Sequence, residues 1–348
     1  MLNNQRILII RLSSIGDVLH ATPVAKALKE AYPTCHITWI ISNMSASLLL
    51  NNPYIDEVYV WSREEFDQAV KKHQLSTIRK LWHQLKLFYQ KNQFDIVLDV
   101  HGLFLSGMIA AYSKAPRRIG MANTRELNRF FMTEQAPPTT SRHVINRYLS
   151  VLAPLHIQTT DVQMTLNLNA DQYKFAEGFM ATYHINPQKK LLLINFKTSW
   201  SSKNWGNENF ARLIDLLAPD IQILLCGSKQ DKEDANTIIS LCHKPIFDAV
   251  GKTSLLELAA LIHRADLVLT GDTGTLHMAI ALRIPTVSLW GASTPEQYGP
   301  IDDTNHIVIR STHSCVACHK TKCPKGTDEC MKAIPVEAVA EKVNAILK

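Results

Sequence analysis

A chain of 348 residues, 46% apolar and 20% charged, is longer than one hydrophobic core usually fills, so two domains of about 150 residues each are expected of an ordinary globular enzyme. No run of about 20 apolar residues occurs, and the N-terminus lacks the basic, apolar and small-residue succession of a signal peptide, so a spanning helix is not expected and a cytoplasmic location is. The net charge of +6 is too mild and too dispersed for a nucleic-acid tail, but it suits an anionic substrate or an anionic membrane surface.

Apolar runs alternate with amphipathic segments almost throughout, the pattern of parallel strands covered by helices. In the first half the strand candidates are "RILIIRL", "HITWII", "EVYVW" and "FDIVLDV". Between the last two, "QLSTIRKLWHQLKLFYQKNQF" puts Leu75, Ile78, Leu81, Trp82, Leu85, Phe88 and Tyr89 at helical spacing, which predicts a core-facing stripe opposite a basic face of Lys72, Arg79, Lys80, Lys86 and Lys91. That basic face reads as a solvated surface or as a rim for an anionic acceptor or lipid headgroups. Weak signals between about Leu155 and Lys190 mark a boundary, set at 165/166. In the second half the strands are "LLLINF", "IQILLCG", "IFDAVG", "DLVLTG" and "PTVSLWG", so each half reads as its own doubly wound domain.

The strongest chemical segment is "ADLVLTGDTGTLHMAIALRIPTVSLWGASTP". A strand ends at Gly271, and Asp272, Thr273, Gly274 and Thr275 open a helix whose free N–H groups and dipole favour phosphate; His277 lies one turn in. Helix capping is the competing role for Asp272 and Thr273. Upstream, "INFKTSWSSKNWGNENF" gathers Thr198, Ser199, Ser201, Ser202 and Lys203 after another strand, a set suited to phosphate oxygens. "LLCGSKQDKEDA" places Asp231 after a third strand, where an acid can take ribose hydroxyls. Neither G-x-G-x-x-G after a strand nor G-x-x-x-x-G-K-[ST] occurs, which argues against a dehydrogenase and a P-loop enzyme. The chain also lacks a D-x-D triplet, so a leaving diphosphate is expected to be met by Lys203 and the helix terminus at 273–275, without a catalytic divalent metal. Cys315, Cys318, Cys323 and Cys330, within the cysteine-rich segment 313–331, have the spacing of a closed four-thiolate site for structural zinc or iron, with free thiols and disulfides as alternatives.

Taken together, "RLSSIGDVLHATP", "DVHGL", the Lys203 and Trp205 pair, and "GDTGTLHMAIAL" with "PTVSLWGASTP" resemble the bacterial heptosyltransferases of glycosyltransferase family 9. The resemblance implies an α/β fold of GT-B architecture, with two Rossmann-like domains facing a cleft: an acceptor domain at 1–165 and a nucleotide-sugar domain at 166–348 that ends in a helix. It also implies inverting transfer of heptose from ADP-heptose to the inner core of lipopolysaccharide, by an enzyme peripheral to the cytoplasmic face of the inner membrane and without a nucleic-acid partner. Catalysis would fall to Asp17 and Lys203, adenosine contact to Asp231, and diphosphate contact to Asp272, Thr273, Gly274 and His277, beside Thr198 and Ser199. Some relatives hold iron in a similar cysteine cluster. Gly206 departs from the proline usual after the tryptophan. Inverting transfer needs a base for the acceptor hydroxyl, and Asp17, at a helix N-terminus that favours its ionised form, can be that base or only a cap. Ser13 and Ser14 could line the sugar, and Arg125, with Arg117, Arg118 and His143 near it in sequence, suits an anionic acceptor. Other family 9 activities, with a different sugar or a protein acceptor, and a non-catalytic nucleotide-binding module are the rival readings.

Overall fold

The structure, a computed structural model, describes residues 4–301 and 304–348. The chain folds as two compact units, Met1–Asn167 and Leu168–Lys348.

In the first unit β1 (Arg6–Ile10), β2 (His36–Ile41), β3 (Glu57–Val60), β4 (Ile96–Asp99), β5 (Arg117–Gly120) and β6 (Glu134–Gln135) form one sheet. It is parallel, in the order β3-β2-β1-β4-β5-β6. The helices are α1 (Ile15–Ala31), α2 (Arg63–Lys71), α3 (Leu75–Lys91), α4 (Phe104–Tyr112) and α5 (Val144–Leu149). Ile7 to Ile10 of β1 are wholly buried, as a strand covered by helices on both faces must be. The stripe of α3 packs through Leu81, Leu85, Phe88 and Tyr89, whereas Leu75 is 63% exposed because it lies in the first turn, beyond the reach of that core.

The second unit repeats the plan. Its strands β7 (Leu191–Asn195), β8 (Gln222–Cys226), β9 (Ile246–Asp248), β10 (Leu267–Gly271), β11 (Thr286–Trp290) and β12 (His306–Arg310) take the order β12-β11-β10-β7-β8-β9, again parallel. They alternate with α6 (Ala170–Thr182), α7 (Asn207–Leu216), α8 (Lys232–Leu241), α9 (Leu255–Arg264), α10 (Gly274–Ala281), α11 (Pro295–Tyr298), α12 (Glu329–Lys332) and α13 (Val336–Leu347). Apolar positions of α13 (Val336, Val339, Ala340, Val343 and Leu347) are buried in the same core as α7.

Both units are thus Rossmann-like, the α/β pair of a GT-B protein. The strands not expected from sequence, β5, β6 and β12, lie at or beside sheet edges, where side chains are only half covered and the apolar signal weakens. In each sheet the order reverses beside the unit's first strand, between β1 and β4 and between β7 and β10. The crevice at the carboxyl ends of the strands at such a point is where open α/β sheets bind ligands.

Candidate active site

At the first switch point β1 runs through Arg11 and Leu12 into Ser13 and Ser14, and Asp17 falls in the opening turn of α1. The Arg11 side chain, 8% exposed, donates to the Val100 carbonyl (2.9 Å) and reaches Asp17 Oδ2 (2.6 Å), while its guanidinium lies 5.0 Å from the centre of the Tyr148 ring. Tyr148 Oη donates to Asp17 Oδ1 (2.7 Å) and Ser14 Oγ to Oδ2 (3.0 Å). Burial by itself would raise the Asp17 pKa. The Arg11 charge and the hydrogen bonds of Tyr148 and Ser14 outweigh it and hold the carboxyl well below its usual range. Asp17 is therefore ionised and fixed in direction, with its side chain still 28% exposed. Ser14 stands at the N-cap position but makes no side-chain cap bond, since its hydroxyl serves Asp17 instead.

The loop after β4 is built by Asp99, which is fully buried. Its Oδ1 accepts from the amides of His101 (2.9 Å) and Gly102 (3.0 Å), and its Oδ2 from Ser106 Oγ (2.9 Å) and Asn128 Nδ2 (2.7 Å). This cradle brings the His101 ring beside Arg63 (Nη1 to Nε2, 3.5 Å), and Arg63 in turn donates to Ser13 Oγ. Burial, followed by the charges of Arg11 and Arg63, pushes the His101 pKa down to about 3, so the imidazole is neutral. Arg125 is exposed, its amide donating to the Gly102 carbonyl (3.3 Å). Arg117 and Arg118 are spent on structure: Arg117 pairs with Glu134 (2.7 Å), and Arg118 donates to the carbonyls of Phe131 (2.9 Å) and Ala115 (2.7 Å). His143 caps α5, its Nδ1 accepting from the Ile145 amide (3.2 Å).

At the second switch point, Lys203 and Asp272 form an ion pair (2.6 Å) with side chains only 11% and 8% exposed. Ser293 Oγ donates to the same Asp272 oxygen (2.7 Å), and His277 Nε2 stands 3.5 Å from the other. Burial opposes the charge of Asp272, but His277 and Lys203 outweigh it and hold the carboxyl well below its usual range. A carboxylate so enclosed would repel a diphosphate. Its oxygens hold Lys203, Ser293 and His277 in place beside the α10 terminus. Thr273 caps α10 (3.4 Å from the Leu276 amide), and Asn195 at the end of β7 ties to Thr275 (2.5 Å). The amides at Gly274 and Thr275 belong to the first helical turn, which has no intrahelical acceptor.

The loop carrying Lys203 closes over the end of β10, and a Cβ on Gly271 would stand 3.1 Å from Thr198 Cγ2. Thr198 Oγ1 donates within that loop, to the Trp200 carbonyl (2.5 Å), and Lys203 Nζ lies 4.0 Å from the centre of the Trp200 ring. Ser199 is exposed. Gly206, at the N-cap of α7, has φ +108°, a conformation closed to proline. Asp231 Oδ2 accepts from both the amide (2.7 Å) and the hydroxyl (2.6 Å) of Ser228, closing the turn before α8.

The four-cysteine site is not assembled. Among the described residues no group of three or more His, Cys, Asp or Glu side chains is gathered closely enough to hold a metal, and all four thiols are free. Cys315, Cys318 and Cys323 are half-exposed in irregular chain, and only Cys330, on α12, is anchored in the core.

A model of glycosyltransferase family 9 (heptosyltransferase) matches residues 78–327. The chain belongs to that family. Among the family's curated proteins, it is 30% identical over 305 residues to the lipopolysaccharide core heptosyltransferase OpsX of Haemophilus influenzae, covering 86% of this chain and 83% of the relative. The crystal structure of a family 9 glycosyltransferase from Veillonella parvula superposes with a TM-score of 0.84 at 25% identity, covering 99% of this chain and 98% of that one. The Escherichia coli heptosyltransferase WaaC with ADP-2-deoxy-2-fluoro heptose superposes at 0.73 and 20% identity, covering 98% and 99%, and shares the fold. As a family 9 glycosyltransferase, the chain presents a cluster that sequence reasoning left incomplete: Arg11, Arg63, His101 and Tyr148 had no expected role. A charged Arg11 at the end of an otherwise apolar strand, and His101 within "DVHGL", were visible signals.

Proposed function

We propose that this glycosyltransferase transfers heptose from ADP-heptose to the lipopolysaccharide core with inversion, Asp17 being the base. The observation that carries the proposal is the clamp on Asp17: a carboxylate kept ionised by Arg11, Tyr148 and Ser14, aimed from a helix terminus at a switch point, yet still accessible. A carboxylate that only capped its helix would turn its oxygens to the helix amides, whereas those of Asp17 meet the side chains of Arg11, Tyr148 and Ser14. In the proposed step an Asp17 oxygen takes the proton of the acceptor hydroxyl while the hydroxyl's own oxygen bonds to the anomeric carbon. The bond from that carbon to the β-phosphate oxygen breaks, and its electron pair leaves with ADP. Lys203 and the amides of the α10 terminus meet the charge on the diphosphate. Thr198, Ser199 and Asp231 complete the donor side, and Ser13, Ser14 and Arg125 the acceptor side.

The curated relative supports the lipopolysaccharide acceptor, and the solved WaaC complex supports an ADP-heptose donor. No described helix is long and apolar enough to cross a membrane; a peripheral position at the inner membrane suits a lipid-borne acceptor. The cysteine segment carries a structural zinc or iron in this reading. Its support is chemical: amides from Lys325 to Asp328 surround the Cys323 sulfur and favour its thiolate, and the other three thiols lie near enough for their charges to be felt at Cys330. The deciding experiment is transfer from ADP-heptose to a core acceptor compared with ADP-glucose and UDP-sugars: release of ADP with formation of the heptosylated core is expected, and turnover with only another donor would remove the assignment.

A further inference from the structure

The first unit leaves apolar surface uncovered on α4. Phe104, Met108, Ala111 and Tyr112, at i, i+4, i+7 and i+8, line one face of that helix, and Phe104 and Tyr112 are 45% and 38% exposed. Trp82 of α3 stands edge-on to Tyr112 (5.4 Å), and Phe131 edge-on to Phe104 (5.3 Å). Trp82, Met108, Ala111, Tyr112 and Phe131 line an apolar cavity of about 520 Å³. Phe130, beside it in sequence, is 68% exposed. A soluble surface seldom leaves so many aromatic rings together unless they meet something.

The charge around this face says what. Arg118 is fastened to the Phe131 and Ala115 carbonyls, and the Arg129 guanidinium lies 4.8 Å from the centre of the Phe130 ring. Arg79 and Lys86 flank Trp82 one helical turn to either side, and Lys114 follows Tyr112. Among the described residues none of these cations is paired with a carboxylate. Glu134 is paired with Arg117 and Glu65 with Lys80, while Glu126 accepts from the Phe104 amide (3.1 Å). A concave aromatic face with an uncompensated basic rim complements an anionic lipid surface, where rings enter the headgroup boundary and cations meet phosphates.

We infer that the face formed by Trp82, Met108, Tyr112 and Phe131, with the exposed Phe130 next to Phe131 in the chain, docks the first unit on an anionic phospholipid bilayer, the cavity taking apolar lipid surface and Arg129, Lys86 and Lys114 the headgroups. The inference rests on the proposed peripheral position and names the surface that achieves it.

The test is co-sedimentation of the full chain with phosphatidylglycerol-containing vesicles and with pure phosphatidylcholine vesicles, for wild type, Phe130→Glu and the pair Lys86→Glu with Lys114→Glu. All three proteins are also assayed on a water-soluble, delipidated core acceptor. Wild type should bind the anionic vesicles in preference to the neutral ones, with binding weakened by added salt. Each variant should lose about tenfold or more in partitioning while keeping wild-type turnover on the soluble acceptor. Wild-type vesicle binding in both variants, or absence of binding by active wild type, overturns the inference. Self-association abolished by Phe130→Glu, without vesicle binding, assigns the face to a second copy of the chain and overturns it too. Failure of wild type on the soluble acceptor would instead count against the transfer reaction, since vesicle binding does not depend on it.

Discussion

For Asp17, the bond pattern separates a catalyst from a cap. Asp17→Asn keeps the size of the side chain and an oxygen for Arg11 and Ser14, but it cannot take a proton. Turnover should fall by roughly 10²- to 10⁴-fold, with folding and ADP affinity close to wild type. Near-normal turnover at saturating donor and acceptor would return Asp17 to a structural role. Tyr148→Phe tests the clamp without touching the base: one of the interactions that lower the Asp17 pKa disappears, so the acid limb of the pH–rate profile should move to higher pH while the alkaline side keeps most of its rate. An unmoved limb would mean that Tyr148 does not act through Asp17. On the donor side, Lys203→Ala should weaken ADP binding roughly ten- to a hundredfold by calorimetry. Asp272→Ala should do much the same, because it releases Lys203 and His277. The double variant should then cost far less than the sum of the two, since both substitutions remove one arrangement.

Secondary-structure elements bring these residues together through their ends. The loop after β4 exists because Asp99 satisfies two amides, a hydroxyl and an amide side chain from three places in the chain. Asp99→Ala should deprive the His101 and Gly102 amides of their acceptor, while Ser106 and Asn128 keep the Leu103 carbonyl, and cost several kcal/mol of stability, about 1–3 for each amide, which chemical denaturation would measure. The 313–331 segment between β12 and α13 has little apolar burial before Cys330, so a metal is the device expected to order it. Protein purified without added metal should carry close to one zinc or iron per chain, and Cys318→Ser should lower the melting temperature more than the specific activity of the folded fraction. Four titratable thiols and no metal in the native protein would reject that role.

At the scale of the whole molecule, stability should depend on pH in two windows. Asp17 and Asp272 have folded pKa values below the ordinary 3.8, so their stabilisation is complete above that value and is lost as pH falls through the folded values. His101 acts earlier. Its folded pKa, about 3, lies below the ordinary 6.5, so the unfolded chain takes up the proton first and stability begins to decline once pH drops below 6.5. Asp99 is raised by burial and acts in the opposite sense: what it contributes is present at low pH and is lost as pH rises through its folded value. Denaturation midpoints measured from pH 7 to pH 3 should therefore fall for wild type, and His101→Gln should flatten the decline in the upper part of that range. An unchanged slope would show that the imidazole stays accessible to protons in the folded state.

Much of this protein was legible in its residue order because the signals are local. Buried parallel strands read as continuous apolar runs, and "GDTGT" and "RLSSIGD" each place a glycine, a hydroxyl and an acid at one strand-to-helix turn. The partners of those acids are a different matter. Tyr148 lies 131 positions from Asp17, and Lys203 lies 69 from Asp272, separations that no periodicity spans. Only the folding of each sheet, with β4 beside β1 and β10 beside β7, decided that Arg11 and Tyr148 would clamp one carboxylate and that Lys203, His277 and Ser293 would enclose the other. Tertiary packing also decided where local readings fall short. Leu75 has the right phase for the core but lies beyond the end of it, and the apolar run "RILII" alone does not say which strands flank it. Spacing along a chain sets which contacts are permitted; burial and neighbouring elements select among them.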